Sequence, residues 1–142
     1  MTKVLAINGS PRRGEGNTAM VLAPFLEGME GAGGSVELLY AADIKVRDCA
    51  ADFNCWFVEP GVCIQKDGMQ EVYPKIRGAD ILVLAIPVYI PVPGCMQNLL
   101  NRMCPLMEPM LEFRDGRTRG RRPENVNLSK LVLVSSGGWW EV

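Results

Sequence analysis

Three stretches of uninterrupted apolar residues constrain the fold most. Residues 4–7, 81–86 and 131–134 have no alternating polar positions, so each suits a strand buried on both faces, as in a parallel sheet covered by helices. A fourth run, residues 36–40, is interrupted by Glu37 and belongs nearer a sheet edge. Helical patterns lie between these strands. Val21, Leu22, Phe25, Leu26 and Met29 share the spacing of one helix face, with Gly31, Gly33 and Gly34 as stop signals. Asp67 and Gln70 have the spacing of a capping box, opening a helix that turns Met69, Val72 and Ile76 inward and ends near Gly78. Pro93 suits the first turn of a third helix carrying Met96, Leu99, Leu100 and Met103, which Pro105 ends. Pro24 and Pro74 fall inside helical patterns, where each removes a backbone hydrogen bond and is expected to bend the helix. This alternation predicts an α/β fold with a doubly wound parallel sheet and right-handed crossovers. Its ligands would sit beyond the carboxyl ends of the strands.

Composition narrows the chemistry. A chain of 142 residues, 48% of them hydrophobic, is expected to form one domain over residues 1–142 and needs neither disulfides nor metal to make a core. With 15 Lys plus Arg against 16 Asp plus Glu, it has no overall field to draw in nucleic acid or an anionic membrane. The absence of histidine excludes a Ser-His-Asp triad, a Cys-His pair and imidazole-ligated zinc. No apolar run approaches the roughly 20 residues of a membrane span, and the start of the chain lacks a signal-peptide pattern. A soluble, cytoplasmic protein is expected. Its five cysteines, an odd number, then read as free thiols or metal ligands.

The first strand leads into Asn8-Gly9-Ser10-Pro11-Arg12-Arg13-Gly14-Glu15-Gly16-Asn17-Thr18. Glycines let backbone approach a ligand, Ser10, Asn17 and Thr18 supply donors, and the helix that follows points its first N–H groups at the loop. A phosphate monoester fits, with Arg12 or Arg13 adding a charge-assisted contact. The loop has neither the Gly-Lys-Ser/Thr of a Walker motif nor dinucleotide Gly-x-Gly-x-x-Gly spacing. The plainer alternative is a solvated turn with an Asn or Thr cap.

The sequence from Ile7 to Arg12, together with Gly16-Asn17-Thr18 and the later Ile86-Pro87-Val88-Tyr89, resembles the NADPH-dependent FMN reductase family of flavodoxin-like proteins, and within it the iron–sulfur flavoprotein branch. The resemblance runs over essentially the whole chain. It implies that Ser10, Arg12, Asn17 and Thr18 hold the FMN phosphate and that Pro87, Val88, Tyr89 and Ile90 line the isoalloxazine. By the same resemblance Ser136, Gly137, Gly138 and Trp139 cover another part of the flavin. A flavin needs a phosphate cradle at one end and a flat apolar slot at the other, and these loops offer both. Taken singly, Tyr89 and Trp139 read equally well as packing aromatics.

Two features depart from that pattern. Residues 41–66 form a cysteine-containing insertion where the branch carries a compact four-cysteine cluster motif. Cys49, Cys55 and Cys63 match its first, third and fourth ligands, while Asp52 stands at the second. The resemblance therefore raises an iron–sulfur cluster. The alternative is a loop that packs Phe53, Trp56 and Phe57 against the domain or a partner. Cys95 and Cys104 fall on the third helical pattern and read as small buried hydrophobes, Cys95 also as a thiol to test for reactivity. The second departure is the ending. The family's sheet has five strands, and the expected fold lacks the final strand and helices. The fourth strand would then be a bare edge open to pairing. A truncated chain, a natural short variant and an edge covered by a neighbouring subunit are the alternatives. Arg114, Arg117, Arg119, Arg121 and Arg122 crowd the connection 108–128, which reads as a solvated, mobile face or as an anion patch for NADPH or an acidic partner.

The resemblance implies an FMN-dependent oxidoreductase passing electrons from NAD(P)H to a flavin, quinone or protein acceptor. The alternative is an FMN-binding electron-transfer protein, with or without an iron–sulfur cluster, that has no NAD(P)H site of its own. A third reading is a cofactor-free remnant that assembles with a partner. Expected partners are a small-molecule acceptor or redox protein and further copies of the chain, with no nucleic acid and no membrane. No residue is assigned as a catalytic acid or base, because the flavin would carry the redox step.

Overall fold

A computed structural model describes residues 1–138. In chain order its elements are β1 (Lys3–Asn8), α1 (Asn17–Gly31), β2 (Ser35–Tyr40), α2 (Asn54–Phe57), α3 (Met69–Gly78), β3 (Ile81–Pro87), α4 (Gly94–Asn101), β4 (Leu111–Arg114), β5 (Arg117–Gly120) and β6 (Lys130–Ser136). Short 3-10 turns occupy Arg13–Glu15, Ala41–Asp43 and Cys104–Leu106. Four strands form one parallel sheet in the order β2-β1-β3-β6. Strand order reverses at β1, between β2 and β3. The loops after β1 and β3 therefore open on the same edge, where doubly wound sheets bind ligands.

The apolar runs of β1 and β3 are buried as their lack of alternation requires, whereas the run 131–134, expected to be buried on both faces, alternates because β6 lies at the edge. Leu5, Ile7, Leu82, Leu84 and Ile86 face α3 and α4, packing on Met69, Val72, Ile76, Met96 and Leu99. Val4, Ala6, Val83 and Ala85 point the other way, against Leu22 and Leu26 of α1. Only part of the predicted α1 face is covered, because Val21 and Phe25 remain exposed. Strand β6 lies at a sheet edge among the described residues, with Leu131 and Leu133 exposed.

Both helices run through their prolines. Pro24 and Pro74 sit inside α1 and α3, and each is exposed. The carbonyls they free belong to Met20 and Gln70, exposed residues whose carbonyls water can serve.

Two local expectations are corrected. Asp67 and Gln70 do not form a capping box. The Asp67 carboxylate accepts from Met69 N at 3.1 Å, while the Gln70 amide donates to Gln65 O at 3.0 Å. Burial beside a cation has given the carboxylate other work. Cys104 is not on the third helix either, because α4 ends at Asn101 and the chain tightens into the turn Cys104–Leu106.

The arginine-rich connection is exposed, as a solvated face would be, and contains two short strands. Strands β4 and β5 pair as an antiparallel hairpin across Asp115 and Gly116, both at positive φ (54° and 73°). Asp-Gly is the favoured sequence for such a two-residue turn. Arg114, Arg119 and Arg121 face Glu112, Asp115 and Glu108, and Arg122 donates to Leu128 O.

Candidate functional site

The loop after β1 folds on itself before it meets α1. Asn8, fully buried at the end of β1, accepts from Ser10 N at 2.9 Å through its side-chain oxygen and donates to Arg13 O at 3.3 Å. Ser10 is 4% exposed, and its hydroxyl accepts from Arg12 N at 3.2 Å. A methyl group on Gly16 would stand 2.6 Å from Ser10 Oγ, so only glycine lets the loop close there. Gly16 is the N-cap of α1, and the first turn of the helix opens toward the loop. A glycine-rich loop beside a helix start is an arrangement that can hold an anion.

The two arginines separate. Arg13 Nε donates to Asp43 at 2.6 Å, and this ion pair raises the guanidinium pKa further above its ordinary value. Arg12 is exposed and makes no side-chain ion pair or hydrogen bond among the described residues. Thr18 is buried, and its hydroxyl lies 2.9 Å from Ser136 Oγ, tying α1 to the end of β6. Asn17 is exposed at the helix start.

The loop after β3 supplies the walls of a groove. An open cavity of about 760 Å³ is lined by Pro11, Val88, Tyr89, Ile90, Pro93 and Cys95, among others. Val88 N donates to Ser136 O at 2.8 Å and Tyr89 N to Pro91 O at 2.9 Å, across a cis Ile90–Pro91 bond. Gly137 sits where an added methyl would be 3.5 Å from Val88. Ser10, Arg12, Asn17, Thr18, Val88, Tyr89, Ile90, Ser136 and Gly137 thus come from three loops at one sheet edge. Pro87 ends β3 behind this groove and is not among its lining residues. Gly138 ends the described chain, and Trp139 lies outside the described residues.

A second cavity, of about 420 Å³, lies elsewhere. Cys49, Cys55 and Cys63 line it, as do Asp52, Arg102 and Cys104. All five cysteines are free. Burial first, then the neighbouring Cys104, Cys63, Asp52 and Cys49, pushes the Cys55 thiol up to about 11. Cys104 is raised by burial and by Cys49 and Cys63. Among the described residues no three Cys, Asp or Glu groups come close enough to share a single metal ion.

Arg102 organises this region, a role that no local sequence pattern marks. Its side chain is 1% exposed and donates to Asp67 Oδ2 at 2.7 Å, Arg47 O at 2.9 Å and Cys63 Sγ at 3.3 Å. Its Nε is buried without a partner. Burial alone would raise the Asp67 carboxyl. Hydrogen bonds from Arg102, Arg47 N and Met69 N outweigh it and hold the group below the usual carboxylate range. Tyr73, also buried, donates its hydroxyl to Arg102 O at 2.8 Å.

The sequence profile described as NADPH-dependent FMN reductase matches residues 2–119. An iron-sulfur flavoprotein of Archaeoglobus fulgidus is 34% identical over 101 residues, covering 70% of this chain and 48% of that protein. One from Methanosarcina thermophila is 32% identical over 101 residues, 70% of this chain and 51% of its own. The chain spans about half the length of these curated relatives. A solved NAD(P)H:quinone oxidoreductase from Methanothermobacter marburgensis superposes with a TM-score of 0.70 at 18% identity, over 99% of this chain and 67% of that one. At that identity the likeness shows the flavodoxin-like fold alone.

Proposed function

The chain belongs to the NADPH-dependent FMN reductase family, and from that premise we propose that it binds FMN at the carboxyl edge of the sheet and acts as an oxidoreductase fed by NAD(P)H. The observation that carries this reading is the closed Ser10–Gly16 loop. It brings a buried hydroxyl, a glycine that admits no side chain and a helix N-terminus to one place, with an unpaired arginine beside them. Ser10, Asn17 and Thr18 would face the phosphate, and Arg12 would supply the counter-charge that Arg13, held by Asp43, cannot.

Bound FMN supplies the hydride acceptance and electron release, so the chain need provide no acid or base. Its own residues bind, orient and shield. Val88, Tyr89 and Ile90 would form the apolar wall for the ring. Val88 and Tyr89 contribute contact there and no N–H donors, because both backbone N–H groups are already bonded within the protein. Ile90 is 97% exposed and Tyr89 49%. The groove therefore stands open on one side, and a second copy of the chain would close it and exclude water. The acceptor would be a flavin, quinone or redox protein. Free thiols favour the cytoplasm, and no helix of the described residues is long and apolar enough to cross a membrane.

The thiol-lined cavity favours a second reading, an FMN-binding electron-transfer protein whose donor is another reduced protein. Anaerobic addition of NADPH to the flavin-loaded chain separates the two, since only a reductase bleaches directly. The phosphate placement has its own test. Arg12→Ala and Asn17→Ala should each weaken FMN binding by about 1.5–3 kcal/mol, roughly 10- to 150-fold, while Arg13→Ala leaves affinity near that of the parent. Unchanged affinity in the Arg12 and Asn17 double variant overturns the placement.

A further inference from the structure

We propose that Cys104 is the fourth thiolate of an iron–sulfur cluster held together with Cys49, Cys55 and Cys63. In sequence Asp52 stands at the motif's second position, so only three thiols come from the insertion. Asp52 Oδ1 accepts from Asn54 N at 2.8 Å, at the start of the short helix α2 that presents Cys55. Cys104 comes from the turn after α4, 41 residues beyond Cys63 in the numbering, yet lines the same cavity. Iron–sulfur clusters are held by thiolates, and four converge here.

The framework holds the two sides of the cavity in register. Trp56 Nε1, next to Cys55, donates to Cys104 O at 3.0 Å. Arg77 Nη2 spans the same gap, donating to Gly61 O at 2.6 Å and Pro105 O at 3.3 Å. These bonds fix the backbone that carries Cys104 against the loop that carries Cys55 and Cys63.

A separate observation points to an anionic occupant. Arg102 lines the cavity with its side chain 1% exposed, donates to Cys63 Sγ at 3.3 Å and keeps Nε buried with no partner. One carboxylate, Asp67, balances this cation, so the guanidinium retains an unmet donor beside the thiols. A cluster with four thiolate ligands carries negative charge that a buried cation and its N–H groups stabilise. Ligation replaces four S–H bonds with four Fe–S bonds and releases four protons to solvent, leaving the oxidation state of the cysteine sulfurs unchanged. Inorganic sulfide and iron supplied as ferric and ferrous ions are the co-reactants, so the iron oxidation level of the cluster comes from the iron itself.

The test is anaerobic reconstitution of the full chain with ferric iron, sulfide and excess thiol reductant, which together supply the mixed iron oxidation level of a cluster. Iron, acid-labile sulfide, visible absorption and the paramagnetic resonance of the reduced sample are then measured. The parent should take up both iron and sulfide. Cys104→Ser should lose them by more than the roughly tenfold that removal of an outer partner costs, and Asp52→Asn should keep them. A second measurement needs no variant: in the reconstituted parent, alkylation of Cys104 should slow together with that of Cys49, Cys55 and Cys63. Cys95, which lines the other groove, should react as it does in the metal-free chain. Full iron and sulfide in Cys104→Ser, equal alkylation of Cys104 with and without iron, or uptake of zinc or iron without sulfide overturns the proposal. None of these readouts depends on FMN, so failure of the flavin reading remains separately visible.

Discussion

The loop after β1 and the thiol cavity differ in where their parts come from along the chain. The loop draws its cradle from neighbours: Asn8 holds Ser10, Ser10 holds Arg12, and Gly16 closes on Ser10, all within one turn of chain before α1. The cavity draws on Cys49 to Cys63, on Arg102 and Cys104 beyond β3 and α4, and on Asp67 at the start of α3. A local site can be assembled by glycine and a few backbone bonds. A site built from distant segments needs something buried to hold them, and here that is a cation. The contrast predicts that damage to the cavity shows first as lost stability, and damage to the loop first as lost ligand.

The largest expected effect breaks the cavity's anchor. Arg102→Leu leaves the buried Asp67 carboxylate without its partner and strips Arg47 O and Cys63 of a donor. Removing one member of a buried ion pair typically costs about 3–5 kcal/mol. Chemical denaturation should show that loss, and a cost under about 1 kcal/mol, the range of a surface pair, would show that Arg102 anchors nothing.

A smaller effect sharpens the other half of the comparison. Gly16→Ala places a methyl where Ser10 Oγ stands, at 2.6 Å. Overpacking of this kind costs about 1–3 kcal/mol. Because Ser10 must move for the methyl to fit, the expected signature is weakened FMN binding out of proportion to the change in denaturation midpoint. Equal FMN affinity in the variant and the parent would mean that the Ser10 hydroxyl takes no part in the cradle.

The same contrast explains what was legible in the sequence. Strands β1 and β3 and the glycine-rich loop follow from short-range patterns, because burial on both faces and glycine spacing are written in consecutive residues, while the exposure of β6 is set by its place at the sheet edge. The β4–β5 hairpin was legible too. Asp115-Gly116 between Leu111, Phe113 and Thr118 is a hairpin signal that the arginines obscured. Arg102 and Cys104 were not legible, since nothing in an isolated α4 pattern says that its end meets a loop some fifty residues earlier. The capping-box reading of Asp67 failed for the same reason. Its spacing to Gln70 is right, yet a buried guanidinium from another element claims the carboxylate.

The smallest effect tests that claim through pH. The Asp67 carboxyl is held below its ordinary value, so it binds a proton more weakly in the folded chain than in the unfolded one. Its contribution to stability is complete above the unfolded value of about 3.9 and is lost as pH falls through the lower folded value. The parent should therefore lose stability on acidification through that window. In Arg102→Leu, burial acts on Asp67 with the guanidinium gone and favours the neutral acid. Protonation then relieves the variant while it weakens the parent, and the gap between their denaturation midpoints should narrow below about pH 4. A gap that stays constant with pH would mean that the cost of the substitution lies in lost hydrogen bonds to Arg47 O and Cys63. The pair with Asp67 would then not be what ties the end of α4 to the loop.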